Sequence, residues 1–247
     1  AHSHVSAIMT SMKRFTGHEE PWGTFVDIKS NFNDFTEREL AKIGKDKTIL
    51  LSSVTDPYQP VENRYQLTRS FLERVVGKDF KLSILTKSSL VIRDIDILRK
   101  IRNVEVGFSF SSVDENVRKI FEPGTSSIEK RIEALNILHQ EGIVTYIFLG
   151  PILPEITDVE AVMKTAKAAR VKFVMAEKLN MNGSIYPSVM QAINRYYPDL
   201  ANIYAQVKNY PSTYWGSVES NLRTLSTSYQ LPVMLFFHHG SDKKGKD

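Results

Sequence analysis

The sequence predicts an α/β chain built on parallel strands, and three observations carry that expectation. Five short apolar runs recur: Thr48 to Leu51, Lys81 to Leu85, Val104 to Phe110, Val144 to Leu149 and Lys172 to Met175. Between them stand segments whose apolar residues return at intervals of three and four, the spacing of one helix face. The chain separating successive runs is also long enough for the crossovers that parallel strands require, whereas hairpins need only a few residues.

Taken in order, the runs are nearly continuous in Val, Ile, Leu and Phe, as strands covered on both faces are. Helices are expected at Tyr65 to Val76, Ile95 to Ile101, Ser127 to Gln140 and Val159 to Ala169. Ser126 and Ser127 are placed to cap the third of these, and Gly142 follows His139 and Gln140 where that helix should stop. Past Asn180 the periodicity weakens. A helix from Tyr186 to Arg195 leads into YYPDL, a Tyr-rich stretch to Trp215 and a last helix near Val218 to Ser226. We therefore expect one domain, with residues 1–182 forming a parallel sheet or barrel of strands and helices and 183–247 its C-terminal cap and basic tail.

Composition narrows the function classes. A length of 247 residues suffices for a single domain with a large core, and 42% apolar content argues against disorder. No run of 18 apolar residues marks a membrane span, and no signal-peptide pattern opens the sequence, so a cytoplasmic protein is expected. The net charge of +4 only weakly favours nucleic acid. Clustered basic and aromatic residues occur at Met12 to Phe15 and Arg64 to Arg74, and solvated helix faces are the better account of them. With no cysteine, the chain offers neither a disulfide framework, nor a thiolate nucleophile, nor thiolate ligands for a metal or cluster.

Every apolar run exits into residues that donate hydrogen bonds or let a ligand come close. These are Ser52, Ser53 and Thr55; Thr86, Lys87 and Ser88; Ser109, Ser111 and Ser112; Gly150 and Pro151; and Glu177, Lys178 and Asn180. In parallel α/β folds such exits gather at the carboxyl edge, where ligands bind. Helix capping explains any one exit alone, but five together favour a site. A Lys directly after a strand, as at Lys87, suits a carboxylate or phosphate partner. Asp56 before Pro57 reads equally as an Asx-turn or cap, and Glu62 as a first-turn helix carboxylate; spacing does not decide. Glu122 and Arg131 suit an ion pair bracing the loop after Ser112. His2, His4 and His18 lie close in sequence but lack a carboxylate partner at helical spacing, which makes them weak metal candidates.

At the level of ordered motifs the chain resembles the spore photoproduct lyase-like branch of the radical S-adenosylmethionine (SAM) superfamily. The resemblance rests on MKRFTGHEEPWGTFVDIKSN (Met12 to Asn31), SSVTDPYQPVENRYQLTR (Ser52 to Arg69), ILTKSSLVIRDIDIL (Ile84 to Leu98), VGFSFSS (Val106 to Ser112), FEPGTSSIEKRIEAL (Phe121 to Leu135), EGIVTYIFLGPILPEITD (Glu141 to Asp158) and EKLN (Glu177 to Asn180). It implies a partial (β/α)6 barrel of TIM type with SAM and a [4Fe-4S] cluster at the carboxyl edge, a first strand that is missing from this sequence, and radical chemistry supplied by the cofactors. It also implies residue roles. The loop Ser52, Ser53, Thr55 and Asp56 stands where the methionine amino group is met, and Lys87 with neighbouring Ser88 where its carboxylate is met. Ser109 or Ser111 stands where the ribose is held, and Gly150, Pro151 and Ile152 stand near the adenine.

The departure is at the cluster. The family carries a CxxxCxxC loop; counting back from Met12 puts its first cysteine just before Ala1 and the others at His4 and Ala7, while Ile8 replaces an aromatic residue. Three thiolates are needed to leave one iron open for SAM, so the chain as written is expected to bind no cluster and to generate no radical. The competing expectation is a non-catalytic module for SAM, a nucleotide or a nucleic-acid end.

Overall fold

The computed structural model describes residues 3–4, 26, 28, 38–40, 42–45, 47–51, 55–181 and 185–237. It has the fold class expected from the sequence: an α/β partial barrel with parallel strands. The chain divides into two compact units, residues 1–107 with 140–144, and residues 108–139 with 145–247.

In the first unit the strands follow chain order: β1 (Ser3–His4), β2 (Thr48–Leu51), β3 (Lys81–Thr86) and the start of β4 (Val104–Phe110). β2 pairs in parallel with both neighbours, Ile49 facing Leu82 and Leu51 facing Ile84 across the β3 ladder. Ile49, Leu82 and Ile84 are buried, as are Leu72 and Val75 from helix α2 (Leu67–Val75). Burying a side chain of this size contributes about 1.5–3 kcal/mol. The helix expected from Tyr65 is broken at Gln66, whose φ of 49° separates α1 (Glu62–Tyr65) from α2. The helix expected at Ile95 is short, α3 (Ile95–Leu98), and is preceded by a 3₁₀ segment, Ser89–Asp94, whose N-cap Ser88 accepts from Leu90 N.

The second unit contains the end of β4, then β5 (Val144–Ile152), β6 (Phe173–Lys178) and β7 (Val233–Phe236) in that order. β6 pairs in parallel with β5 and with β7. β7 lies in the segment read from sequence as a helical cap. Its four residues after Pro232 are too few for periodicity to distinguish a strand from a helix end. Helices α4 (Glu115–Phe121), α5 (Ile128–Gln140) and α6 (Val159–Ala168) alternate with the strands. Asp114 caps α4, its carboxylate accepting from Asn116 N at 2.6 Å, and Asp158 caps α6 through Ala161 N at 2.8 Å. The Ser127 hydroxyl accepts from Lys130 N in the first turn of α5, as the sequence suggested. Gly142, after its end, has φ +75°, a conformation in which a Cβ is strained.

The C-terminal part of this unit holds α7 (Ile185–Tyr196), α8 (Ala201–Asn209) and α9 (Pro211–Tyr229). The Tyr-rich stretch is thus helical, with Tyr204 and Trp215 turned into the core. α9 packs on α6 and β7, and α6 on β6. Tyr204 is fully buried, and its hydroxyl finds no partner among the described residues. Burial, with Tyr214 and Tyr197 nearby, pushes its phenol far above the ordinary value. Because the folded value is raised, this group's stabilisation is complete below about pH 10. It is lost as pH rises further, where only the unfolded chain gives up the proton. Tyr204→Phe should therefore leave the neutral-pH melting temperature unchanged or raise it, worth up to about 1 kcal/mol. It should also flatten the alkaline loss of stability; a large drop at neutral pH would show that the hydroxyl is satisfied.

Candidate functional site

The polar strand exits form one cluster in each unit. In the first, Asp56 is the organising group. One carboxylate oxygen accepts from Tyr58 N at 2.8 Å and from Thr86 Oγ1 at 2.6 Å, and the other accepts from Lys87 N at 2.6 Å. Thr86 Oγ1 in turn accepts from Ser88 N at 2.9 Å. The Asx-turn anticipated at Asp56 is present, and it also ties the loop after β2 to the exit of β3. Thr55, Asp56, Lys87 and Ser88 belong to this cluster or adjoin it in sequence, whereas Ser52 and Ser53 lie outside the described residues.

Behind the loop lies an ionic network that the sequence did not announce. Asp94 is fully buried and accepts from Arg69 Nη1 at 3.0 Å and from Arg93 Nε and Nη2, each at 2.8 Å. Arg93 also donates to the Glu62 carboxylate and main-chain oxygen, both at 3.0 Å. Glu62 Oε1 accepts from Thr68 N at 3.1 Å and Arg69 N at 3.3 Å, so this carboxylate caps α2 across the break at Gln66. Hydrogen bonds to these carboxylates raise both guanidinium groups above their usual value, Arg69 chiefly through Asp96 and Arg93 chiefly through Asp94. Burial first, and the Asp94 carboxylate next, push the buried Tyr58 phenol upward. Glu62 is thus structural. In sequence, RDID resembles an exposed helix start, and nothing local marks its charges as enclosed.

In the second unit, Ser109 Oγ donates to Gly150 O at 3.2 Å, which joins the exits of β4 and β5. Ser111 is held at both ends of its backbone: its N donates to Glu122 Oε1 at 3.2 Å, and its carbonyl accepts from Thr157 Oγ1 at 2.7 Å. Thr157 Oγ1 also accepts from Leu153 N at 2.8 Å, next to Ile152. The Ser111 hydroxyl is nevertheless buried with no hydrogen-bond partner among the described residues. A Cβ at Gly150 would collide with the Phe148 ring and stand 3.3 Å from Glu177 Cβ, so this buried position takes only glycine unless the ring shifts. Ser109, Ser111 and the Gly150, Pro151 and Ile152 segment are therefore brought together. Thr157 belongs with them but was missed, because a Thr five residues past Ile152 reads as an ordinary loop residue.

The ion pair anticipated between Glu122 and Arg131 is present at 2.7 Å, with Arg131 fully buried. Among the described residues no group of His, Asp and Glu is arranged to hold a metal ion. The side chains of His2, His4 and His18 are outside the described set. Among the described residues no helix is long and apolar enough to cross a membrane.

Residues 22–169 match the family model of the radical SAM superfamily. The chain belongs to the radical SAM superfamily. Similar relatives are an uncharacterized protein of Methanocaldococcus jannaschii, 40% identical over 163 residues, and one of Mycobacterium tuberculosis, 26% identical over 220 residues. The first alignment covers 66% of this chain and 61% of the relative, the second 84% and 65%. The chain thus spans just under two thirds of these relatives' length. A Pseudomonas phage M6 protein named radical SAM Nalpha-GlyT isomerase is 21% identical over 173 residues, covering 69% of this chain and 36% of that protein. Among solved structures, spore photoproduct lyase complexed with dinucleoside spore photoproduct superposes with a TM-score of 0.64 at 15% identity, over 92% of this chain and 72% of that one. At that identity the likeness concerns the fold.

The radical SAM family generally uses SAM and a [4Fe-4S] cluster, and the residues present fit the two differently. The buried Ser111 hydroxyl, without a hydrogen-bond partner among the described residues, suits a ligand bearing hydroxyl groups. The thiolate set for a cluster is absent from these 247 residues.

Proposed function

We propose that this chain is the SAM-binding barrel of a spore photoproduct lyase-like radical SAM protein, and that these 247 residues alone assemble no iron-sulfur cluster. The observation that carries the SAM reading is the Ser111 hydroxyl, buried without a partner among the described residues although the residue's own N and O are both matched. Buried polar groups in folded proteins are almost always paired, so an orphan at a strand exit marks a place where a ligand supplies the missing hydrogen bond. The resemblance assigns Ser109 or Ser111 to the ribose and Gly150, Pro151 and Ile152 to the neighbourhood of the adenine. It assigns Ser52, Ser53, Thr55, Asp56, Lys87 and Ser88 to the aminoacyl group. Since both Asp56 oxygens already accept from the protein, its role is to set the loop, while neighbouring groups meet the ligand.

The cluster half of the proposal rests on the donor set. Without thiolates no [4Fe-4S] cluster is anchored, and no chemistry is routed through one. Anaerobic reconstitution with iron and sulfide should leave the purified chain without blue-violet charge-transfer absorbance, and added SAM and reductant should yield no 5′-deoxyadenosine. A reconstituted band with SAM cleavage would overturn this.

A further inference from the structure

Two buried side chains behind the second cluster have no assigned part in binding, and their geometry gives them one. Arg131 distributes its guanidinium over four acceptors. Nη1 donates to Ser109 O and to Glu122 Oε2, both at 2.7 Å, Nε donates to Ser126 O at 2.9 Å, and Nη2 donates to Thr125 Oγ1. The second Glu122 oxygen accepts from Ser111 N at 3.2 Å. The pair therefore grips the carbonyl of Ser109 and the amide of Ser111, the two backbone groups that flank Phe110. The Arg131 guanidinium also lies 5.5 Å from the centre of the Phe110 ring.

β4 ends at Phe110, and Ser111 lies in the bend that follows. Holding Ser109 O and Ser111 N thus holds the backbone that carries both hydroxyls, one of which donates to Gly150 O while the other has no partner among the described residues. Arg131 is fully buried, and Glu122 nearly so. A pair this buried is not needed to hold a helix on a sheet, since apolar residues of similar volume serve stability as well or better. What such a pair supplies is a directional, bidentate grip.

We propose that the Glu122–Arg131 pair is a positioning device that makes the β4 exit selective for a ribose over a deoxyribose. This rests on the reading above that the second cluster takes the adenosine end of SAM, and it adds the groups that set its sugar specificity. A site built to hydrogen-bond a hydroxyl rejects the analogue lacking it, because its own buried polar groups are then left unpaired.

The test titrates the full chain with adenosine, 2′-deoxyadenosine and 3′-deoxyadenosine, followed by NMR or calorimetry, and repeats this with Glu122→Leu/Arg131→Met. Wild type should favour adenosine over at least one deoxynucleoside by about five- to tenfold, the worth of one well-placed hydrogen bond. The double variant keeps an uncharged, well-filled interior and should still bind, with the preference reduced to less than about twofold. Arg131→Lys, which keeps a charge for Glu122 but cannot also reach Ser109 O and Ser126 O, should fall between the two; it provides the comparison if the double variant does not fold. A merely structural role would weaken all three ligands equally and leave their ratio unchanged, and that result overturns the proposal. So does a wild type that binds the three nucleosides equally, although nucleoside binding itself would then stand. A wild type that binds none of them overturns both the specificity assignment and the adenosine reading beneath it.

Discussion

Asp94→Ala should destabilise the chain by about 3–5 kcal/mol in urea unfolding, the largest effect expected of any single carboxylate in the described structure. Asp94 is fully buried and takes three hydrogen bonds from two guanidinium groups. Removing it leaves Arg93 facing only Glu62 and Arg69 facing only the outer carboxylates. The cost arises from half-buried guanidinium N–H groups that the remaining carboxylates only partly satisfy, more than from the attraction lost. Asp96 offers the control. It also pairs with Arg69, at 2.8 Å, but its side chain is 55% exposed, so Asp96→Ala should cost far less than Asp94→Ala. The hydrogen bond from Arg69 holds the Asp96 carboxyl below its usual range. A depressed value means that this pair contributes above the unfolded carboxyl's pKa and fades as pH falls through the folded one. Equal losses for the two substitutions would show that the network is not enclosed as described. Because Arg93 holds Glu62, and Glu62 caps α2 just after the loop that carries Asp56, Asp94→Ala should also weaken ligand binding by the first cluster.

The second large effect is a gain. Placing cysteine immediately before Ala1 and substituting His4→Cys and Ala7→Cys rebuilds the spacing of the CxxxCxxC loop that the resemblance implies. Three thiolates leave one iron site open for SAM, which is the arrangement that one imidazole and an alanine do not provide. After iron and sulfide reconstitution this variant should acquire charge-transfer absorbance and convert SAM to 5′-deoxyadenosine, against none for the parent chain. If the restored chain takes up cluster but leaves SAM intact, the barrel has lost more than its thiolates, and the assignment of the strand-exit residues to SAM is wrong.

Much of the architecture was legible because it depends on patterns that neighbouring residues enforce. The strands at Thr48 and Val104 begin and end where their apolar runs do, and the exits of β4 and β5 meet as a carboxyl-edge site requires. Capping was readable at Ser127 because a hydroxyl before a periodic segment has few other uses. What stayed hidden depends on partners distant in sequence. Asp94 meets Arg69 across 25 positions, and Thr157 meets Ser111 across 46, with nothing local to mark either pair. The helical segments α8 and α9 were obscured by tyrosines, which serve cores, surfaces and loops alike. Gln66 breaks the helix expected from Tyr65 in a left-handed conformation that no glycine or asparagine announced. Within the candidate site the Glu122–Arg131 pair was itself legible, as a brace for the loop after Ser112, and it is present at 2.7 Å.

The most direct test of the account is titration of iron-free chain with SAM, for wild type and Ser111→Ala. The account predicts saturable one-to-one binding, with Ser111→Ala weakening it about three- to tenfold at unchanged melting temperature, as expected for one hydrogen bond. Absence of binding at millimolar SAM, or an affinity indifferent to Ser111, would contradict it.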